Sequence, residues 1–298
     1  MRIQTFARGL GQIMLQESSI TGMLFLTGIA VNSLVLAAGA VLGNLVGTLS
    51  GRLSACDRDE IAKGLYGFNG ALVGIALLSF FAPSALVVGC IIVAAASSSL
   101  VMKLMLRATQ LPPLTAPFVV CTWLALLVGD AFSLPSPNAL PSTLASNDIA
   151  AIARGAGQVM FQESAISGAL FLAGIAAHSR QSAAWCILTS AFGLVFGRGI
   201  GLSDAMGASG LLGYNACLAG IALQGTAWGA FAPLLGACFA VLITCAFHVT
   251  GLPALTAPFV VASWIVLIAV PEKEGSEGTS TESIGSRSDG NRVPKHRS

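Results

Sequence analysis

Two threonines stand in nearly identical proline-rich motifs. Residues 111–118 read LPPLTAPF and residues 252–259 read LPALTAPF, with seven of eight positions identical. Thr115 and Thr256 each precede an Ala-Pro pair, so each is predicted to cap a helix whose first turn holds the proline. The prolines before them have no N–H group, which leaves nearby carbonyl groups without helical partners. Hydroxyl and carbonyl oxygens gathered in this way accept hydrogen bonds without carrying charge.

A second pair of motifs supplies amide side chains. ARGLGQIMLQES at 7–18 returns as ARGAGQVMFQES at 153–164, with nine of twelve positions identical. Each copy holds two glutamines four residues apart, and GQIMLQES is predicted to form a short amphipathic helix that dips into the protein. Amides both donate and accept hydrogen bonds without charge. The glutamines are Gln12, Gln16, Gln158 and Gln162.

The composition places these motifs in a membrane. The chain has 298 residues, of which 55% are hydrophobic and 9% charged, whereas a soluble domain carries roughly 25% charged residues. Its long apolar stretches are near or above the ~20 residues that a helix needs to cross a bilayer. They cover 20–49, 64–102, 116–129, 205–223 and 229–247. The sequence therefore predicts an all-α polytopic membrane protein. At membrane depth, irregular backbone is expected only where it is buried in protein or lines a wet cavity.

The chain is also duplicated. A third block, LYGFNGALVGIAL at 65–77, returns as LLGYNACLAGIAL at 211–223, with eight of thirteen positions identical. In each copy an aromatic residue precedes a leucine by four positions, which puts the two on one helix face. These pairs are Phe68 with Leu72 and Tyr214 with Leu218. Duplicated halves with matching interrupted segments are typical of transporters and channels built around a pseudo-two-fold axis.

Four segments follow from the duplication. A first repeat covers 1–130, and a second repeat covers 148–270. Between them, 131–147 is rich in Pro and Ser and is predicted to be an extracytoplasmic linker. The last segment, 271–298, is polar and has no aromatic residue. It cannot bury enough apolar area to fold, so we expect a disordered cytoplasmic tail.

Arg180 indicates how the halves are oriented. It lies in the middle of what would otherwise be one span, 166–196, where a charge is costly. Splitting this stretch gives about five transmembrane helices in each half, an odd number, and hence two inverted repeats with additional half-membrane pore helices. Both termini would face the cytoplasm, with eight basic residues inside and only Arg154 and Arg198 outside. The eight are Arg2, Arg8, Arg52, Arg58, Lys63, Lys103, Arg107 and Arg180. A model with four parallel spans in each half would place about seven basic residues inside and three outside. The excess of basic residues on the inside therefore favours inversion only slightly.

The three motif pairs together resemble the urea transporter family. That family carries LPxxTxPF, a GxxQVxF-like block and a LxGYNGxLxG-like block in each half, and the resemblance covers about residues 5–270. It implies an inverted-repeat channel that conducts urea passively across the cytoplasmic (inner) membrane. Such a channel is usually a homotrimer with one pore per subunit, surrounded by membrane lipid. It uses no cofactor or metal and binds no nucleic acid.

The resemblance also implies which residues line the pore. The pore amides would be Gln12 and Gln158, and the central threonines would be Thr115 and Thr256. A flat slot would lie at each end of the pore. Its residues are Leu15, Phe68 and Leu72 at one end and Phe161, Tyr214 and Leu218 at the other, with Ile13 and Val159 beside them. Leu15 stands where the family usually has phenylalanine, so this slot is expected to be looser.

Urea suits such a pore because it is planar and neutral, with four N–H donors and one carbonyl acceptor. A narrow slot admits a flat molecule, and a line of oxygens replaces the water that its N–H groups lose. No full charge is available to compensate a dehydrated ion, so ions should be rejected.

A proton-coupled transporter of a small neutral amide is the main alternative. Glu17 and Glu163 occupy equivalent positions in the two halves and could relay protons. The simpler interpretation places both near the membrane interface, beside Ser18 and Ser164, which would cap the next helices. A pH gradient in a transport assay would separate the two functions.

Two further classes are disfavoured. An ammonium or ion channel would be expected to pair histidines in its pore, but His178 and His248 are not at equivalent positions, and His248 is expected at a loop end. An enzyme is disfavoured because no metal-ligand cluster, no nucleophile with a base and no phosphate loop is evident. The seven cysteines form no CxxC pair and are interpreted as small packing residues.

Overall fold

The computed structural model describes residues 3–137 and 147–271. Within these residues all regular secondary structure is helical, which confirms the all-α prediction. The first half contains α1 (Ile3–Gln12), α2 (Ser19–Asn32), α3 (Leu34–Leu53), α4 (Arg58–Ala62), α5 (Phe68–Phe80), α6 (Ala85–Ala108) and α7 (Ala116–Ala131). The second contains α8 (Asp148–Gln158), α9 (Ala165–His178), α10 (Arg180–Gly199), α11 (Asp204–Ser209), α12 (Tyr214–Leu223), α13 (Phe231–Thr250) and α14 (Ala257–Ala269). Most of the predicted linker and nearly all of the predicted tail lie outside the described residues.

The two sets of seven helices correspond in order through the repeated motifs. α1 and α8 end at the first glutamine of their blocks, Gln12 and Gln158. α5 and α12 begin at the aromatic residues Phe68 and Tyr214. α7 and α14 begin directly after the motif threonines, with proline in the first turn. The repeated sequence therefore gives a repeated order of helices.

A serine interrupts the chain at the same place in each half. Ser179 is extended and separates α9 from α10, so the split predicted from Arg180 is confirmed. Ser33 separates α2 from α3 in the same way, although 20–49 looks like one apolar stretch in the sequence. Each serine hydroxyl accepts a hydrogen bond from a backbone N–H three residues later, at Leu36 and Ser182. This bond satisfies a donor that a helix start leaves free.

α2 and α9 pack against each other around equivalent residues. The Thr21 hydroxyl donates to the Gly174 carbonyl at 2.8 Å, and the Ser167 hydroxyl donates to the Gly28 carbonyl at 2.8 Å. Between these bonds the rings of Phe25 and Phe171 lie edge to face, 5.1 Å apart. The beginning of each helix thus meets the end of the other, so the two helices run antiparallel. Halves of opposite orientation require such a pairing; the orientation and the number of membrane crossings stay predictions.

Three helices of the described residues are long and apolar enough to cross a membrane: α3, α6 and α13. Six shorter helices, of 10–17 residues, are also apolar. Large aliphatic side chains on the outside of this bundle are exposed, among them Leu104, Leu127, Val195 and Ile268. An apolar outer surface of this kind is stable in lipid and unusual for a soluble monomer.

Candidate functional site

The starts of α7 and α14 meet in the middle of the protein. The hydroxyl oxygens of Thr115 and Thr256 are 2.7 Å apart, and both residues are almost fully buried. Each threonine occupies the N-cap position, as predicted, but neither hydroxyl makes a capping hydrogen bond. The prediction that these side chains cap their helices is therefore wrong, because the two hydroxyls bond to each other.

Two asparagines take over the capping role. The side-chain oxygen of Asn69 accepts from the Phe118 N–H at 3.1 Å, and that of Asn215 accepts from the Phe259 N–H at 3.2 Å. The Asn215 amide also donates to the Leu255 carbonyl at 3.4 Å. Both asparagines are buried, in the first turns of α5 and α12. Sequence analysis missed them, although the asparagine is one of the positions that LYGFNG and LLGYNA share.

Left-handed backbone conformations surround the site. Leu15 (φ 61°) and Phe161 (φ 59°) follow α1 and α8, while Leu114 (φ 50°) and Leu255 (φ 47°) precede the motif threonines. Non-glycine residues adopt this conformation uncommonly, and such residues cluster at functional sites. Here they form two pairs at equivalent positions, so both halves hold the same strained turns.

The same turns correct the predicted helix in GQIMLQES. α1 ends at Gln12, and residues 13–15 form a turn in which the Gln16 N–H donates to the Gly11 carbonyl at 3.0 Å. A left-handed residue with this six-to-one bond is a common way to end a helix. Gln12 and Gln16 therefore do not share a helix face, and the second half repeats the arrangement.

Gln12 and Gln158, at the ends of α1 and α8, are each held in place by a hydrogen bond from the side-chain NH₂ group. Gln12 Nε2 donates to the Lys63 carbonyl at 3.1 Å, and Gln158 Nε2 donates to the equivalent Ser209 carbonyl at 3.0 Å. This anchor leaves each Oε1 atom available as an acceptor. Gln162, by contrast, is buried, and its Oε1 accepts from the Asn32 amide at 2.9 Å.

Predicted site residues of the second half line a cavity of about 300 Å³. Five of them come together there: Gln158, Val159, Phe161, Tyr214 and Thr256. The sixth, Leu218 in α12, is fully buried in the core and is absent from the cavity wall. Most of the remaining wall is apolar, so the few polar groups would fix the orientation of a small polar molecule.

The wall also contains Phe80 and His248, which the sequence analysis did not place in the site. Phe80, at the end of α5 in the first half, places its ring 6.0 Å from that of Phe161, at 78°. The sequence predicted His248 at a loop end, whereas it lies in the last turn of helix α13 and lines the cavity. The sequence repeats could not identify Phe80 as a site residue, because the equivalent position 226 is threonine.

The first-half residues lie in the main core or against it. Ile13, Phe68 and Leu72 are buried there, and Leu15 packs against it from a partly exposed position. Thr115 joins them to the second half through its bond to Thr256. The hydrogen bond between the two threonines thus connects the residues predicted for one end of the pore with those predicted for the other.

The two glutamates lie beside arginines. Arg8 is 3.9 Å from the Glu17 carboxylate, and both side chains are more than a third exposed. In the second half the Arg154 guanidinium donates to the Glu163 backbone carbonyl at 3.1 Å. Ser18 and Ser164 cap α2 and α9, as predicted.

Comparison with known proteins identifies a family whose match covers nearly the whole chain. Residues 3–271 match the urea transporter family (UT). The chain is 29% identical to urea transporter 1 of Rattus norvegicus over 301 residues, which cover 89% of this chain and 76% of the relative. It is 28% identical to urea transporter 1 of Ovis aries and 27% identical to that of Mus musculus, over 88% of this chain and 75% of each relative. The relatives are named as transporters, and a match over nearly the whole chain shows the family. The chain is a membrane protein that belongs to the urea transporter family.

Proposed function

We propose that this protein is a passive, selective channel for urea, and for close amide analogues, in the cytoplasmic (inner) membrane. The observation that carries the proposal is the pair of bonded hydroxyls at Thr115 and Thr256, together with the anchored amide of Gln158 in the cavity beside Thr256 and the equivalent anchored amide of Gln12. Their oxygens would accept from the four N–H groups of urea. Apolar surroundings make such bonds stronger than they are in water.

The second-half cavity supports passive flux. Among the described residues, His248 and the Tyr214 phenol are the titratable groups in its wall, and no carboxylate lines it. A carboxylate is the group that a proton-coupled carrier would be expected to expose to substrate. Glu17 lies beside Arg8 at a partly exposed position, where a surface ion pair contributes little. The simplest conduction mechanism therefore moves urea down its gradient between fixed acceptors.

The proposal includes an arrangement in the membrane. The antiparallel pair α2 and α9 supports two inverted repeats, with both termini in the cytoplasm. In this arrangement the threonine bond lies near the middle of the membrane, where the equivalent ends of the two halves meet. Each subunit would form one pore within a homotrimer surrounded by lipid.

Stopped-flow light scattering on proteoliposomes tests the rate law. Urea flux should be proportional to its gradient and should not change when a pH gradient is imposed. Acetamide and formamide should permeate more slowly than urea, and glycerol should be excluded because it is not planar. Accumulation of urea against its gradient in the presence of a proton gradient would contradict the proposal and favour a proton-coupled carrier.

A further inference from the structure

A basic surface cavity lies away from the proposed pore. It has a volume of about 770 Å³ and lies between the start of α1, the end of α3 and the short helix α4. Arg52 and Arg58 both line it, with Thr5 and Cys56. Among the ion pairs of the described residues, none involves Arg52 or Arg58. Two guanidinium groups thus line one cavity without a carboxylate of the described chain to balance them.

The second half shows what balances the equivalent arginine. Arg198 corresponds to Arg52, and it binds Asp148 at 2.8 Å and Asp204 at 3.2 Å. The position equivalent to Asp204 is Arg58, so a carboxylate in one half is replaced by a guanidinium in the other. The position equivalent to Asp148 is Arg2, which lies outside the described residues. In the second half, two aspartates thus balance the arginine. At the equivalent positions of the first half, the chain has further arginines instead.

Two carboxylates near the basic cavity, those of Asp57 and Glu60, have other partners. Asp57 accepts from the N–H groups of Asp59 and Glu60 and so caps α4. Glu60 accepts from the Tyr66 phenol at 2.6 Å. Burial and this hydrogen bond raise the pKa of Tyr66, which therefore stays protonated as the donor. None of these carboxylates lines the cavity, so no carboxylate of the described residues balances the two arginines there.

The surroundings of the cavity favour an amphiphilic anion. α3 is long and apolar enough to cross a membrane, and Arg52 lies in its last turn, where a bilayer surface is expected. The next residue, Leu53, is 79% exposed, and Ile3 near Thr5 is 78% exposed. Arginine matches the geometry of phosphate oxygens, and exposed aliphatic side chains pack against acyl chains. A free phosphate ion would use only the first of these features.

We propose that Arg52 and Arg58 form a binding site for the phosphodiester headgroup of an anionic phospholipid. The lipid supplies to the first half the negative charge that Asp148 and Asp204 supply to the second. It lies at the end of α3, against the exposed leucine. The site stabilises the packing of α1, α3 and α4, which form the cavity wall.

The test measures thermal unfolding of the purified full-length protein in detergent while phosphatidylglycerol is added. Phosphatidylcholine and inorganic phosphate form the two comparison arms. Phosphatidylglycerol should raise the unfolding temperature until the effect saturates with lipid concentration. Phosphatidylcholine and inorganic phosphate should leave the unfolding temperature unchanged. Arg52→Gln and Arg58→Gln should each raise the half-saturating lipid concentration about fivefold, and the double variant about 30-fold.

Two further variants give matched controls. Arg180→Gln also removes one exposed arginine, at the start of α10, and should change the half-saturating concentration less than twofold. Arg58→Asp copies the second half and should abolish the lipid response, since the new carboxylate pairs with Arg52. An equal effect of Arg180→Gln would assign the response to general surface charge and overturn the site. Stabilisation by inorganic phosphate alone would assign it to a soluble anion and overturn the lipid.

Discussion

At the scale of single residues, the hydroxyl pair has a defined capacity for further hydrogen bonds. One threonine donates to the other at 2.7 Å, which still leaves oxygen lone pairs on both and one hydroxyl proton free. The pair therefore accepts from urea without losing its own bond. It also stays satisfied when no urea is present, which a buried polar group requires.

Replacing either threonine by valine should slow urea flux. Thr115→Val and Thr256→Val each remove an acceptor, at a cost of about 1–3 kcal/mol. If this cost falls on the conduction barrier, flux drops about 5- to 150-fold. Thr→Ser keeps the hydroxyl and should be far milder. Light-scattering flux from reconstituted variants measures the effect, and a folded double-valine variant with wild-type flux would contradict a role in conduction.

Stability should respond differently from flux in the same series. A single valine leaves the other hydroxyl buried without its partner, whereas the double variant removes both groups. The double variant should therefore lose less unfolding free energy than the two single variants added together. Flux should nevertheless be lowest in the double variant. Additive losses of stability would show that the hydroxyl bond does not couple these residues.

Leu15→Phe should tighten the apparent affinity for urea. Phe161 occupies the equivalent position with nearly the same backbone conformation, φ 59° against 61°, so a phenylalanine fits this turn. An aromatic face offers flat contact and a weak acceptor for N–H groups, where leucine offers only bulk. The concentration dependence of urea flux measures the change, with Leu15→Met as a control of similar volume that is not β-branched. An unchanged affinity in Leu15→Phe would mean that position 15 does not contact urea.

At the scale of elements, glycines set the distance between α3 and α5. A Cβ added to Gly43 would lie 1.9 Å from the Gly70 carbonyl oxygen, and one added to Gly74 would lie 2.0 Å from the Gly39 carbonyl oxygen. The two backbones are therefore in direct contact, as small residues permit in membrane helices. Because α5 carries Phe68 and Asn69, this contact also positions a predicted slot residue and a helix cap.

Gly43→Ala should lower both stability and urea flux. The added methyl group must push α5 away from α3, and overpacking of this kind costs about 1–3 kcal/mol or more. Gly89→Ala in α6 provides the control, because its Cβ would meet nothing within 4 Å. Thermal unfolding in detergent and flux in liposomes measure the two effects. Equal behaviour of the two variants would contradict a packing role for Gly43.

The helix starts could be predicted from the sequence because their signals are local. Ser18, Ser164 and Ser179 each precede the helix that they cap, and the proline motifs place the starts of α7 and α14 correctly. The partners of the site could not be predicted in this way. Thr115 bonds a residue 141 positions away, and Phe118 is capped by a residue 49 positions away. The turns at Leu15 and Phe161 also escaped prediction, since no glycine marks their positive φ angles.

At the scale of the whole molecule, the two halves share an order of helices but differ in surface charge. Arg198 is balanced by two aspartates, and Arg154 donates to the carbonyl groups of Glu163 and Ala208. These are the two basic residues predicted to lie outside. On the other side, Arg52 and Arg58 have no ion pair within the described residues. Unbalanced positive charge is retained on the cytoplasmic side of membrane proteins.

This difference predicts the orientation of the chain. Both termini should face the cytoplasm, with the linker outside, because the uncompensated arginines lie in the first half, at the end of α3 and the start of α4. Single cysteines at Asn138 in the linker and Ser288 in the tail, in a variant without the seven native cysteines, test it with a thiol reagent that does not cross membranes. Intact cells should be labelled at position 138 only, and permeabilised cells at both. Labelling of intact cells at position 288 alone would reverse the orientation, and labelling at both positions would put the linker and the tail on the same side and contradict inversion of the halves.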